Sequence, residues 1–224
     1  MKISFKFIFI ITALLFVASC GPKDVQPIHS LSAVDVGEIN IANIEVSLSP
    51  EFVAGVQSRV TKERESITAQ KERIAGLGKQ TRLKQKQITK VAEQSIEKSE
   101  RKIVSLETEM AEVETDVREG IVSALSNKFV GRKNVDVSVS VNSFAMTNGG
   151  AVVLIGGSDS MTGLLRIQDS QSDELLGEYY ITDFDTNAAG GLLGLMVRGG
   201  DPRGDMIKQF SQKVFDAISG KYDE

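Results

Sequence analysis

The sequence predicts an α+β fold: an antiparallel sheet packed by helices, with a long charged helical hairpin inserted into it. Three observations carry this. Val135, Val137, Val139 and Val141 alternate with Asp136, Ser138, Ser140 and Asn142, the period-two pattern of a strand with one buried and one wet face. Residues 51 to about 128 contain no proline and repeat their apolar residues at helical spacing. Ile207, Phe210, Val214 and Ile218 then mark one face of a last helix.

Residues 1–19 have the parts of a secretory signal. Lys2 and Lys6 form a positive start, and Phe7 to Val17 is apolar except for Thr12. Ala18 and Ser19 supply small residues before a cut. The apolar run of about 11 residues is far short of the roughly 20 that span a bilayer as a helix.

Val17-Ala18-Ser19-Cys20 resembles the lipobox of bacterial lipoproteins. The resemblance implies that Cys20 becomes the first mature residue, carrying a thioether-linked diacylglycerol and an acylated amine, palmitate among the expected chains. It also implies a sorting rule, by which Gly21 rather than Asp after the cysteine favours the outer membrane, with the body facing the periplasm. Cys20 is the sole cysteine, so no internal disulfide is available to it.

About 205 residues remain from Cys20 onward, with 24 basic against 30 acidic side chains. That acidic balance argues against nucleic acid as a partner. One histidine, His29, and one cysteine leave little material for a zinc site or a nucleophile–histidine pair. No cofactor, metal or catalytic residue is predicted, and the chain reads as non-enzymatic, with a carboxylate-only hydrolase of the cell wall as the alternative.

Residues 20–33, with Pro22, Pro27 and His29, read as a lipidated tether. From Val34 to Leu48 the apolar residues alternate, and the phase slips at Ala42-Asn43, as at a bulge. Ser49-Pro50 reads as an N-cap with proline in the first turn. Residues 34–50 and 104–220 are assigned to one globular domain, 51–103 to the hairpin insertion and 221–224 to a fraying tail.

Within the helical region Val53, Val56, Val60, Ile67 and Ile74, then Leu77, Ile88 and Val91, form a thin stripe. Ile96, Ile103, Leu106, Met110, Val113, Val117, Ile121 and Leu125 form a denser one, as for a helix lying on a sheet. Gly76-Leu77-Gly78 is the best local breaker and the preferred turn. Charge favours a different place. Arg59 to Lys90 carries ten basic and three acidic residues, and Glu93 to Glu119 four and nine, so a fold near Thr89 would lay the two arms side by side.

After the Val135 strand, Asn148-Gly149-Gly150 signals a hairpin and Ala151 to Ile155 a buried continuation. Leu164 to Ile167 starts another strand, Asp169 to Asp173 turns, and Leu175 to Phe184 returns. A glycine-rich stretch from Asn187 to Gly200 precedes Asp201-Pro202, which starts the last helix.

Asn142-Ser143-Phe144, Val153 to Ser160, Thr162-Gly163 and Leu176-Gly177-Glu178-Tyr179 together resemble a group of uncharacterised bacterial envelope lipoproteins. Their α/β domain is similar to the penicillin-binding-protein activator lipoproteins and to the N-terminal domain of the Tol translocation protein. The resemblance spans roughly residues 34–48 and 104–220. It implies a scaffold or binding role and an envelope protein as partner, with no catalytic residues carried across.

Two stretches imitate known sites, and a third is a candidate contact surface. Gly156 to Gly163 lacks the Lys-Ser/Thr ending of a phosphate loop, and Ser160 stands where a Gly-x-Ser-x-Gly motif needs glycine. Asp183-Phe184-Asp185-Thr186-Asn187 starts like a calcium loop, but Ala188 replaces the required glycine and Gly194 the bidentate Glu. Gly190 to Met196 offers Leu192, Leu193, Leu195 and Met196 as a contact surface or a buried one. The candidate binding residues are Lys79, Arg82, Lys84, Lys86 and Lys90, a basic run able to meet an envelope protein, anionic membrane or peptidoglycan.

Overall fold

The computed structural model describes residues 24–78, 82–146, 159–184 and 201–222. The elements run β1 (Val25–His29), α1 (Ala33–Glu38), β2 (Ile39–Leu48), α2 (Pro50–Ala75), α3 (Arg82–Leu125), β3 (Lys133–Ala145), β4 (Ser160–Asp169), β5 (Leu175–Phe184) and α4 (Pro202–Ser219). The strands form one sheet in the order β1-β5-β4-β3-β2. The fold class is α+β, as the sequence predicts.

The sheet is mixed rather than antiparallel. β3, β4, β5 and β1 pair antiparallel, but β2 pairs parallel to β3. The reason lies in the connection: α2 and α3 carry the chain from the end of β2 back to the start of β3, and parallel neighbours need such a crossover. The expected bulge is present, with the β2–β3 register shifting between Ile41 and Asn43.

Two further differences concern the N-terminal part. Val25–His29, read as tether, is an edge strand opposite Ile181 to Glu178. Only Val25 of its five residues is buried, so no alternation marks it. Pro27 is tolerated there because an edge strand leaves one side of its backbone unpaired. Ala33, read as tether, and residues 34–38, read as strand, form a short helix whose first turn is capped by the Ser32 hydroxyl, which accepts from the Asp35 N–H at 3.1 Å. At the other end, Tyr222 does not fray: its ring packs edge-on against Tyr179 at 5.3 Å.

The core lies between the sheet and one layer of helices. Val135, Val137, Val139 and Val141 of β3, Leu165 and Ile167 of β4, and Tyr179 and Ile181 of β5 face Val113, Val117, Ile121 and Leu125 of α3 and Phe210, Val214 and Ile218 of α4. Gly163 of β4 makes room for the Phe210 ring, since a Cβ there would lie 2.8 Å from its Cζ. β4 begins at Ser160, earlier than the Leu164 pattern indicated, because Met161 and Gly163 continue its inward face.

Ser49 caps α2 as predicted, accepting from the Phe52 N–H at 3.1 Å, with Pro50 in the first turn. α2 ends at Ala75 and α3 begins at Arg82, so the chain reverses at the glycines and not near Thr89. Asp201 occupies the cap position of α4 without a side-chain cap bond. Asn148 to Ile155 and Asn187 to Gly200 lie outside the described residues.

Candidate functional site

The α2–α3 hairpin has its own interior. Val60, Ala92 and Ser99 are buried in it, and none belongs to the core under the sheet. Charged groups tie the shaft across its seam: Glu63 accepts from the Ser99 hydroxyl at 2.9 Å and pairs with Lys102, and Arg64 lies 3.3 Å from Glu107. The Lys102 hydrogen bond, followed by that of Ser99, holds the Glu63 carboxyl below the usual range.

The hairpin meets the body around Glu112. Arg203, at the start of α4, pairs with Glu112 at 3.1 Å and Asp116 at 2.7 Å, its guanidinium 5.8 Å from the centre of the Phe144 ring. Arg118 donates to the Val46 carbonyl at 3.1 Å. From Val113 onward α3 belongs to the core. The roughly 30 residues of α3 before that point make an arm about 45 Å long.

At the far end the Gln85 amide donates to the Leu77 carbonyl at 2.9 Å, closing the tip. Reversal at the glycines puts Lys71 to Gly78 and Arg82 to Lys90 there, two stretches with six basic residues and one acidic. Arg82, Lys84, Lys86 and Lys90 are all exposed. None pairs with a described acidic side chain, unlike Lys102 and Arg64 in the shaft. Arg82, Lys86 and Lys90 follow one another at i, i+4 and i+8 and, with Gln85, Thr89 and Glu93, line a cleft of about 520 Å³. Lys79 and Cys20 lie outside the described residues.

Two further residues join this surface: Leu83, which the periodicity left unassigned, and Val91, which the sequence places in the seam stripe but which faces solvent instead. Leu83 is 80 % exposed and Val91 61 %. At about 100° per residue, Leu83 falls beside Lys86 and Lys90, and Val91 between Leu83 and Lys84. The signal was present in the letters but readable only once the helix was known to start at Arg82.

The imitations of known sites divide. Asp183 is engaged by the Lys213 ammonium at 2.7 Å, which also reaches Asp24 at 3.0 Å and the Thr182 carbonyl at 3.0 Å. A lysine thus occupies the first position of the calcium-like run, and Asp185 to Asn187 lie outside the described residues. Residues 156–158 and 190–196 lie outside them as well. Among the described residues no group of three or more His, Cys, Asp or Glu side chains is placed to hold a metal ion. A second cleft, about 440 Å³, runs along the β2 edge between Asn40 to Ile44 and the Val122 to Val130 segment. It holds no acidic or basic side chain.

No described helix is long and apolar enough to cross a membrane. No family model matches the chain, and no curated protein matches it.

Proposed function

We propose that the chain is a non-enzymatic lipoprotein of the cell envelope. Lipid on Cys20 holds it at the outer membrane, facing the periplasm, and the helical arm works as a binding or adaptor element. The resemblance of Val17 to Cys20 to a lipobox, and Gly21 after it, support the anchor and its seat.

One observation carries the binding role. The arm closes on its own interior, yet its tip presents Arg82, Lys84, Lys86 and Lys90 without a described acidic partner. A helical pair about 45 Å long adds nothing to the body's core and keeps a charged surface well away from it.

Shortening the arm tests this. Excising residues 66–105 and rejoining the helices leaves Val113 to Leu125 on the sheet. The variant should remain in the membrane fraction after a salt wash while losing photo-crosslinked neighbours that a probe on the body, at Leu175, captures from the full chain in intact cells. Unchanged neighbours, captured from a probe on the body such as Leu175, would remove the arm from the account.

A further inference from the structure

We propose that the tip of the arm docks on anionic phospholipid headgroups of the same membrane that carries the lipid on Cys20. This rests on the reading of Cys20 as the anchor.

The topology brings anchor and arm to one end of the sheet. The Asp24 carbonyl accepts from the Thr182 N–H at 2.7 Å, and Thr182 lies opposite Thr162, which lies opposite Ser143. The same end carries Leu48, opposite Val141, where Ser49 starts α2. It also carries the junction of Arg203 with Glu112 and Phe144, where α3 arrives from the tip. The opposite end holds Ile39 and Lys133, beside the Gly131 that follows α3.

Chain length then limits the membrane's position. Four residue steps separate Asp24 from Cys20, a span of at most about 14 Å. The first described residue is not loose at that point, because Lys213 grips Asp24 at 3.0 Å. An arm about 45 Å long leaves from the same end. A bilayer lying square across that direction would have to take in the charged helices, which the hydrocarbon excludes. The body must therefore lie over, with the arm directed along the bilayer surface.

Laid that way, the tip has the make-up of a headgroup contact. Arg82, Lys86 and Lys90 form one exposed stripe, and a negative leaflet attracts each such cation. Leu83, 80 % exposed among them, and Val91, 61 % exposed, suit the boundary between headgroups and acyl chains. A solely acidic protein surface would meet the cations and leave these two apolar groups in water.

The full lipidated chain with Gln87→Cys, labelled with a fluorophore, can be reconstituted into two vesicle types carrying a headgroup-attached quencher. One is phosphatidylcholine alone; the other contains phosphatidylglycerol. Quenching is expected in the anionic vesicles and weak in the neutral ones. Adding R82E, K86E and K90E should lower the quenched fraction at least about tenfold, with the helical circular dichroism unchanged. Equal quenching in both vesicle types, indifference to the charge reversals, or no quenching in anionic vesicles overturns the proposal; the last outcome leaves the tip to a protein partner. Flotation with the neutral vesicles tests the anchor separately: a chain that quenches with anionic vesicles yet does not float with neutral ones has the tip contact and lacks the anchor.

Discussion

Glu63 of α2 accepts a hydrogen bond from the Ser99 hydroxyl of α3 at 2.9 Å, and the Lys102 ammonium reaches the same carboxylate. This junction fixes the register of the arm, because the apolar seam around it is thin. Only Val60, Ala92 and Ser99 are buried along the shaft.

The arm should therefore loosen in acid before the body does. Glu63 is held below its ordinary value in the folded chain, so its stabilisation is present above pH about 4.5 and is lost as pH falls through the depressed value. Hydrogen exchange between pH 5 and 3 should show arm amides losing protection while β3 amides keep theirs. In Glu63→Gln that arm-specific loss should flatten. Equal loss in arm and sheet would remove Glu63 as the cause.

Tyr179 gives the body an alkaline limit. Its hydroxyl accepts from the buried Leu31 N–H at 2.7 Å, and burial pushes the phenol up to about 12. A phenol that resists ionisation when folded and ionises near 10 when unfolded contributes stability that is complete below pH 10 and declines from there to about 12. Tyr179→Phe should lose about 1–3 kcal/mol at neutral pH, by leaving the Leu31 N–H unsatisfied. It should also flatten this part of the alkaline curve in urea unfolding. A variant as stable as the parent would refute the hydrogen bond's role.

Gly163→Ala should destabilise the body by about 1–3 kcal/mol, because the new methyl meets the Phe210 ring at 2.8 Å and the Ser140 carbonyl at 3.0 Å. Thermal unfolding measures it. Combination with Phe210→Leu should cost less than the sum of the single changes, since both act on one contact. Strict additivity would contradict the packing described.

Lys213→Met should cost about 3 kcal/mol, because it leaves the Asp183 carboxylate, 3 % exposed, without its ammonium. Adding Asp183→Asn should recover part of the loss. Chemical unfolding of the three variants gives the coupling; a double variant no better than the single would deny that the pair matters.

Much of this architecture is legible in the letters. The β3 alternation and the Val113-Val117-Ile121-Leu125 stripe sit on surfaces with one buried face, where periodicity and burial coincide. β1 is illegible because a five-residue edge strand with one buried side chain has no period to read. The parallel β2–β3 pairing is a property of the path through α2 and α3, and no residue in either strand encodes it. The chain reverses beside Gly76 and Gly78 and not where charge complementarity pointed, because such complementarity acts weakly across exposed helical faces. The candidate site was half legible. The cations stand out by composition, whereas Leu83 and Val91 join them only through the phase of α3.

Release from membranes tests the anchored arm most directly. The full chain, Cys20→Ser, and Cys20→Ser combined with R82E, K86E and K90E can be followed through low-salt and high-salt washes. The full chain should stay in the pellet throughout. Cys20→Ser should leave with high salt, which screens the remaining attraction of the tip, and the combined variant should leave at low salt. A Cys20→Ser chain that stays in the pellet through the high-salt wash would contradict the account.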